Sequence, residues 1–328
     1  MKNNAKRWIA LGITLVVFLA AILSPNINKE KKEKLSLSQL KKFGLTDMVD
    51  ENIIQGTNEG EKIKLISLQG VIKSDDNNQF VIDQLKKAGE NPTTKGVILK
   101  VNSPGGSVYV SEQIAKQIKK LKEKEIPVYS VMEDMAASGG YYVSAPTDRI
   151  YASNETLTGS IGVIMQMNSL EGLFEKYGIK QQNITSGKMK DAGSLGRDLS
   201  DEEKAYFQGL VDSAFSRFVK IVAEGRKMSE KDVKKIADGR VYDGAQAVKN
   251  GLVDKIGDVD DAIKDMTEEN KLDDPVVVEP TNLNMSFTSL FSKVGDLKKN
   301  QSDLAILKEF MENNRLTPMY IYGGYYGR

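Results

Sequence analysis

An α/β fold with a mostly parallel sheet is predicted by three observations on this 328-residue sequence. Short apolar runs of strand character, KIKLISL from Lys62, GVILKV from Gly96 and PVYSVM from Pro127, alternate with segments of helical periodicity. No Pro-, Gly- or Ser-rich linker interrupts that alternation before about Met266, so one domain of roughly 200 residues fits better than two. Composition is globular, 40% hydrophobic and 28% charged, and the chain is long enough to bury a large core.

At the N-terminus, Lys2, Lys6 and Arg7 precede an apolar run, Trp8 to Leu23, closed by Ser24 and Pro25. At roughly 16 residues the run is slightly shorter than the roughly 20 that cross a bilayer, so the core of a signal peptide competes with an uncleaved anchor. The anchor is favoured: no clean A-x-A site follows, no Cys is present for lipidation, and Trp8 with the flanking lysines suits the two interfaces. The layout expected is a cytoplasmic leader over 1–7 and a transmembrane anchor over 8–24, in a single-pass protein of the cell membrane whose body is extracytoplasmic. Lys29, Lys31, Lys32 and Lys34 put positive charge on the far side too. The orientation therefore rests on a short leader preceding a bulky domain rather than on charge. Residues 25–61 are polar and weakly patterned and read as a stalk.

The body is expected over 62–275. Helices are predicted over Phe80–Ala88, Ser111–Glu123, Ser138–Ala145 and Asp201–Ala223, the last with Phe207, Leu210, Val211, Phe215, Phe218 and Val219 along one side. RIYA and GVIMQM read as further strands. The tail, 276–328, opens with PVVVEP, which can form one more strand, and ends in RLTPMYIYGGYYGR, whose tyrosines and glycines suggest a partly flexible segment.

Two absences narrow the chemistry. The chain has no His and no Cys, which excludes Ser/His/Asp and Cys/His catalysis and any thiolate or imidazole metal site. A hydrolase of this composition needs Ser, Thr, Lys, a carboxylate or water as nucleophile, and Lys, Asp, Glu, Tyr or an amine as base. No cofactor and no metal site is expected. A net charge of +1 gives no general attraction to nucleic acid.

Three segments could carry chemistry, each at the carboxyl end of an expected strand, where ligand sites of α/β sheets collect. Asn102-Ser103-Pro104-Gly105-Gly106-Ser107 can aim an N–H at a carbonyl oxygen, although for this segment taken alone a simple strand-to-helix turn is the stronger reading. Ser138, flanked by Ala137 and Gly139 where a helix begins, is either an N-cap, worth about 1 kcal/mol, or a nucleophile with the Gly139 N–H as oxyanion donor. Small residues on both sides favour the second reading, because an approaching peptide backbone needs the room. Ser186-Gly187-Lys188-Met189-Lys190-Asp191 offers two lysines. A lysine accepts a proton only when neutral, and lowering an ordinary pKa of about 10.4 by about 3 units costs roughly 4 kcal/mol. Spacing alone marks neither lysine as buried.

Together and in this order, these segments resemble the bacterial signal peptide peptidase A family, in its short single-domain form. The resemblance runs through GVILKVNSPGGSV, EDMAASGGYYVSAPTDRIYASNETLTGSIGVI, GKMKDAG and DGRVYDGAQAVKNGLVDKIGD, and covers roughly 62 to 266. It implies a ClpP/crotonase-like superhelix of ββα units. It further implies Ser138 as nucleophile, Lys190 rather than Lys188 as general base, Ser160 as the residue that orients the lysine, and the N–H groups of Gly105 and Gly139 as oxyanion hole. Signal peptides left in the membrane are the implied substrates. A homo-octamer in which neighbouring subunits complete each site is the implied assembly. Two other readings remain beside it: a crotonase-like acyl-CoA hydratase or isomerase, against which the anchor argues, and a catalytically silent membrane scaffold, against which intact Ser138 and Lys190 argue.

Overall fold

A computed structural model describes residues 49–282 and 318–322. Among these, the main sheet contains β1 (Val49–Gln55), β2 (Asn58–Gln69), β3 (Thr94–Ser103), β5 (Val128–Ala137), β6 (Arg149–Ala152), β9 (Lys255–Ile256) and β10 (Pro275–Asn282), in the order β1-β10-β2-β3-β5-β6-β9. Along that order every pairing from β10 to β9 is parallel and β1 runs antiparallel to β10. Short strands β7 (Leu157–Gly159) and β8 (Val241–Tyr242) extend the sheet beside β5, and β4 (Gly105–Ser107) pairs with β11 (Met319–Ile321) in a separate ribbon. The predicted α/β class with a mostly parallel sheet is therefore what the chain forms.

Burial of both sheet faces explains the unbroken apolar runs. On β3, Val97, Leu99 and Val101 face a layer built by α1 (Asp76–Glu90), α2 (Val108–Glu123), α3 (Gly139–Ser144) and α5 (Asp201–Arg226), while Ile98 faces α8 (Val259–Glu269) through Ala262, Ile263 and Met266. Local signals set the helix starts. Asp75 accepts from the Asn78 N–H to open α1, Ser107 accepts from Val110 to open α2, and Ser200 and Glu203 form a reciprocal capping box at α5. Three smaller helices complete the described chain: α4 (Glu171–Lys176), α6 (Glu230–Ile236) and α7 (Gly244–Lys249).

Several expected boundaries move. Residues 49–61, expected as stalk, supply β1 and the start of β2; residues 276–282, expected as tail, supply most of β10, whose Val276, Val277 and Val278 are core residues. The sheet recruits them because β2 would otherwise be an unprotected edge. GVIMQM does not form a strand: only Ile164 pairs, through an isolated bridge to Met319. The apolar side of α5 is buried only in its second half, at Ala214, Phe218, Val219 and Val222, whereas Leu210 stands exposed. The anchor expected over 8–24 lies outside the described residues, and no described helix is long and apolar enough to cross a membrane.

Candidate active site

The parallel sheet gathers the predicted residues by strand register. β3 runs along one edge of β5 until Ser103 meets Ala136. Along the opposite edge, β6 pairs with Tyr129–Met132 and β7 with Met135–Ala137. The ends of β3, β5 and β7 thus come level, and the Ser138 N–H donates to the Gly159 carbonyl at 2.8 Å.

Ser138 is held in a strained backbone conformation. It occupies the position before α3 but makes no capping hydrogen bond, with φ 54° and ψ −112°. A non-glycine residue held there carries strain of order 1–3 kcal/mol. Its hydroxyl is buried and has no hydrogen-bond partner among the described residues. The cap reading of Ser138 thereby fails: a cap would be extended and bonded.

Gly139, the first residue of α3, has an N–H without an intrahelical acceptor. Gly105 packs against it so closely that a Cβ on Gly105 would stand 2.5 Å from the Gly139 nitrogen. The Gly105 N–H is directed to Ser103 Oγ at 3.1 Å, inside the chain. Ser160 follows β7 at φ 48°, is 5% exposed, and donates its N–H to the Arg240 carbonyl at 2.8 Å. Ser138, Gly139, Gly105 and Ser160 are therefore brought together.

An extended segment of the chain already lies across this site. β11 pairs antiparallel with β4, Tyr320 opposite Gly106 and Ile321 opposite Gly105. Its other edge exchanges both bonds between Met319 and Ile164, at 2.9 and 3.0 Å, and the Tyr322 N–H reaches the Pro104 carbonyl at 2.8 Å. The Tyr320 carbonyl lies over the two glycines: a Cβ on Gly105 would overlap it, and one on Gly139 would be 2.9 Å away. The Tyr320 ring is fully buried, stacked on Tyr142 at 4.8 Å and against Phe218 at 4.6 Å, and its hydroxyl donates to the Ala214 carbonyl at 2.9 Å. Burial pushes the Tyr142 phenol up to about 12. Clefts of about 310 and 410 Å³ flank the strand, one lined by Ile164, Val211, Phe215 and Ile321, the other by Tyr109, Glu112, Arg217 and Pro318. The predicted flexibility of the tail does not hold at Tyr320, because these rings give it a place to pack.

The lysine segment behaves differently. Lys190 is exposed and is not hydrogen-bonded to Ser138. Lys188 is engaged elsewhere, in an ion pair with Glu202 at 2.7 Å. Sequence reasoning missed Ser103, Tyr142 and Ile164 as groove residues. The apolar GVIMQM run was the available signal for Ile164, misread because its strand partner is a distant residue, Met319.

A strained, uncapped serine with backbone N–H groups beside it and an extended strand across it suits attack on a peptide carbonyl. Comparison with known proteins agrees. Residues 120–273 match the model of peptidase family S49. An Enterococcus faecium protein whose name places it with the signal peptide peptidases SppA is 40% identical over 98% of this chain and 99% of its own length. Protease 4 of Salmonella typhi is 38% identical over 64% of this chain and 35% of its own, and the chloroplastic serine protease SPPA of Arabidopsis thaliana is 36% identical over 56% and 27%. The chain belongs to peptidase family S49, as a serine endopeptidase of SppA type.

Proposed function

We propose that this endopeptidase is a membrane-anchored signal peptide peptidase with a Ser/Lys dyad. Ser138 Oγ attacks the scissile carbonyl while the Lys190 amine takes its proton; the same ammonium then protonates the leaving amine, and water, deprotonated by the amine, releases the acyl group. The Gly139 N–H, with the Gly105 N–H once it exchanges Ser103 Oγ for the oxyanion, stabilises the tetrahedral intermediate. Such donors contribute about 3 kcal/mol each. Ser160, beside Ser138, orients the lysine. The observation that carries this reading is Ser138 itself, strained, buried and without a partner.

Assembly completes the site. An exposed Lys190 and an unpartnered Ser138 in one chain suit a lysine donated between neighbouring copies, which also provides the cover a neutral lysine requires. Exposed Leu173, Tyr177 and Ile184 on the same stretch of chain as Lys190 supply apolar surface for such a contact. We infer a homo-octamer built from ClpP/crotonase-like subunits, anchored through residues 8–24 with the body outside the cytoplasm. The aromatic and aliphatic groove around β11 suits the apolar segments of signal peptides, and the backbone pairing suits any extended chain. No observation favours a hydratase, whose chemistry has no use for a strained serine.

The test uses the full chain in detergent. Ser138→Ala and Lys190→Ala should each abolish cleavage of an apolar reporter peptide, and a serine-reactive phosphonate should label wild type at Ser138. Parental turnover by Lys190→Ala would sink the dyad assignment.

A further inference from the structure

Lys190 stands between two anchored neighbours. On one side Lys188 is tied to Glu202 of α5. On the other, the Asp191 carboxylate receives Arg197 NH2 at 3.0 Å and Nε at 3.4 Å. The same guanidinium continues to Glu203, NH1 to Oε2 at 2.8 Å and NH2 to Oε1 at 2.5 Å, and NH1 also donates to the Asp198 carbonyl at 3.0 Å. Glu203 is 3% exposed and belongs to the capping box that opens α5, where it accepts the Ser200 N–H at 2.8 Å. A planar fork of fixed geometry thus links the residue next to Lys190 to the buried Glu203 in the first turn of the longest described helix. An ammonium cannot bridge both carboxylates in this way.

The link has two consequences for a lysine that must be neutral to act. It fixes the backbone from which the side chain projects. It also occupies the one carboxylate adjacent in sequence, which would otherwise hold the ammonium charged. Hydrogen bonds from Arg197 keep both acids ionised, Asp191 below the usual carboxylate range and Glu203 at about 2, so the link stays closed throughout the range in which a peptidase works.

We infer that Arg197 is a positioning residue for the general base: by clamping Asp191 to Glu203 it sets where Lys190 is presented and keeps the Asp191 charge away from it. The inference rests on the Ser/Lys reading above. It is tested in the full-length oligomer with Arg197→Lys, Arg197→Ala, Asp191→Asn and Lys190→Ala, reading kcat and KM separately across pH. In Arg197→Lys and Arg197→Ala, kcat should fall roughly 10–100-fold with KM little changed, and the ascending limb of the pH profile should move to higher pH as Asp191 is freed. In Asp191→Asn, which leaves Glu203 paired with Arg197 and so guards against a folding failure, kcat should fall without that upward movement. Turnover within about twofold of wild type in Asp191→Asn and Arg197→Lys, with Lys190→Ala inactive, overturns the inference. So does a loss expressed through KM or through dissociation of the oligomer, which would mark a merely structural pair. Activity in Lys190→Ala removes the dyad itself and is read separately.

Discussion

At the residue scale, the site is a set of backbone torsions that most side chains avoid. Ser138 and Ser160 have φ of 54° and 48°, and Gly105 has φ of 94°. Replacing Ser138 by Gly removes the strain that Ala retains, so Ser138→Gly should unfold at higher temperature than Ser138→Ala, by about 1 kcal/mol of stability, with both inactive. Calorimetry on the two variants decides it. Gly105→Ala should abolish peptide cleavage, because its Cβ would overlap the carbonyl of a strand placed as Tyr320 is. Turnover of a reporter peptide by that variant is the check. The residue types at this site were legible in the sequence, since a small-residue frame around Ser138 and a Pro-Gly-Gly turn imply close backbone approach. The torsions were not, because they arise from Gly159 and the ends of β3 and β5, which register alone brings together.

Elements show the opposite balance. The long amphipathic helix and the apolar strands could be read directly, because burial on one or two faces leaves a period in the residues. Short strands such as β4, β7 and β11 leave no period, and their pairing partners lie far away in sequence. The opening of α5 yields a prediction on pH. Glu203 falls from an ordinary 4.5 to about 2 in the folded chain, chiefly through the hydrogen bond from Arg197. A depressed carboxylate adds stability that is complete above its unfolded pKa and is lost as pH falls through its folded value. Thermal stability should therefore decline between about pH 4.5 and 2. Glu203→Gln should flatten that part of the curve, measured as Tm against pH. For β11, a chain ending at Arg315 should cleave small apolar peptides faster than the full chain, since the groove is vacated; an unchanged KM and kcat would mean that the strand does not compete with substrate.

For the whole molecule, the question is how the proposed base, Lys190 on an exposed loop, could serve the buried Ser138. If neighbouring copies exchange the lysine, mixing inactive Ser138→Ala with inactive Lys190→Ala under conditions that reshuffle subunits should restore activity to roughly a quarter of wild type or less, the share of sites that pair an intact serine with an intact lysine. No recovery in shown mixed oligomers would require both residues from one chain. The sequence could not reveal such an arrangement, because composition and spacing describe one chain.

The β11 strand lies in the groove as a segment of the same chain, which bears on how the groove responds to concentration. A segment carried by the same molecule competes with free peptide at an effective concentration set by its linkage and not by the solution. Free peptides at trace levels then meet an occupied groove, whereas fragments crowded into a bilayer can match the tether locally. Should the strand compete with substrate in this way, such an enzyme would work by threshold: idle when cleavage products are sparse, and drawn into action by their accumulation.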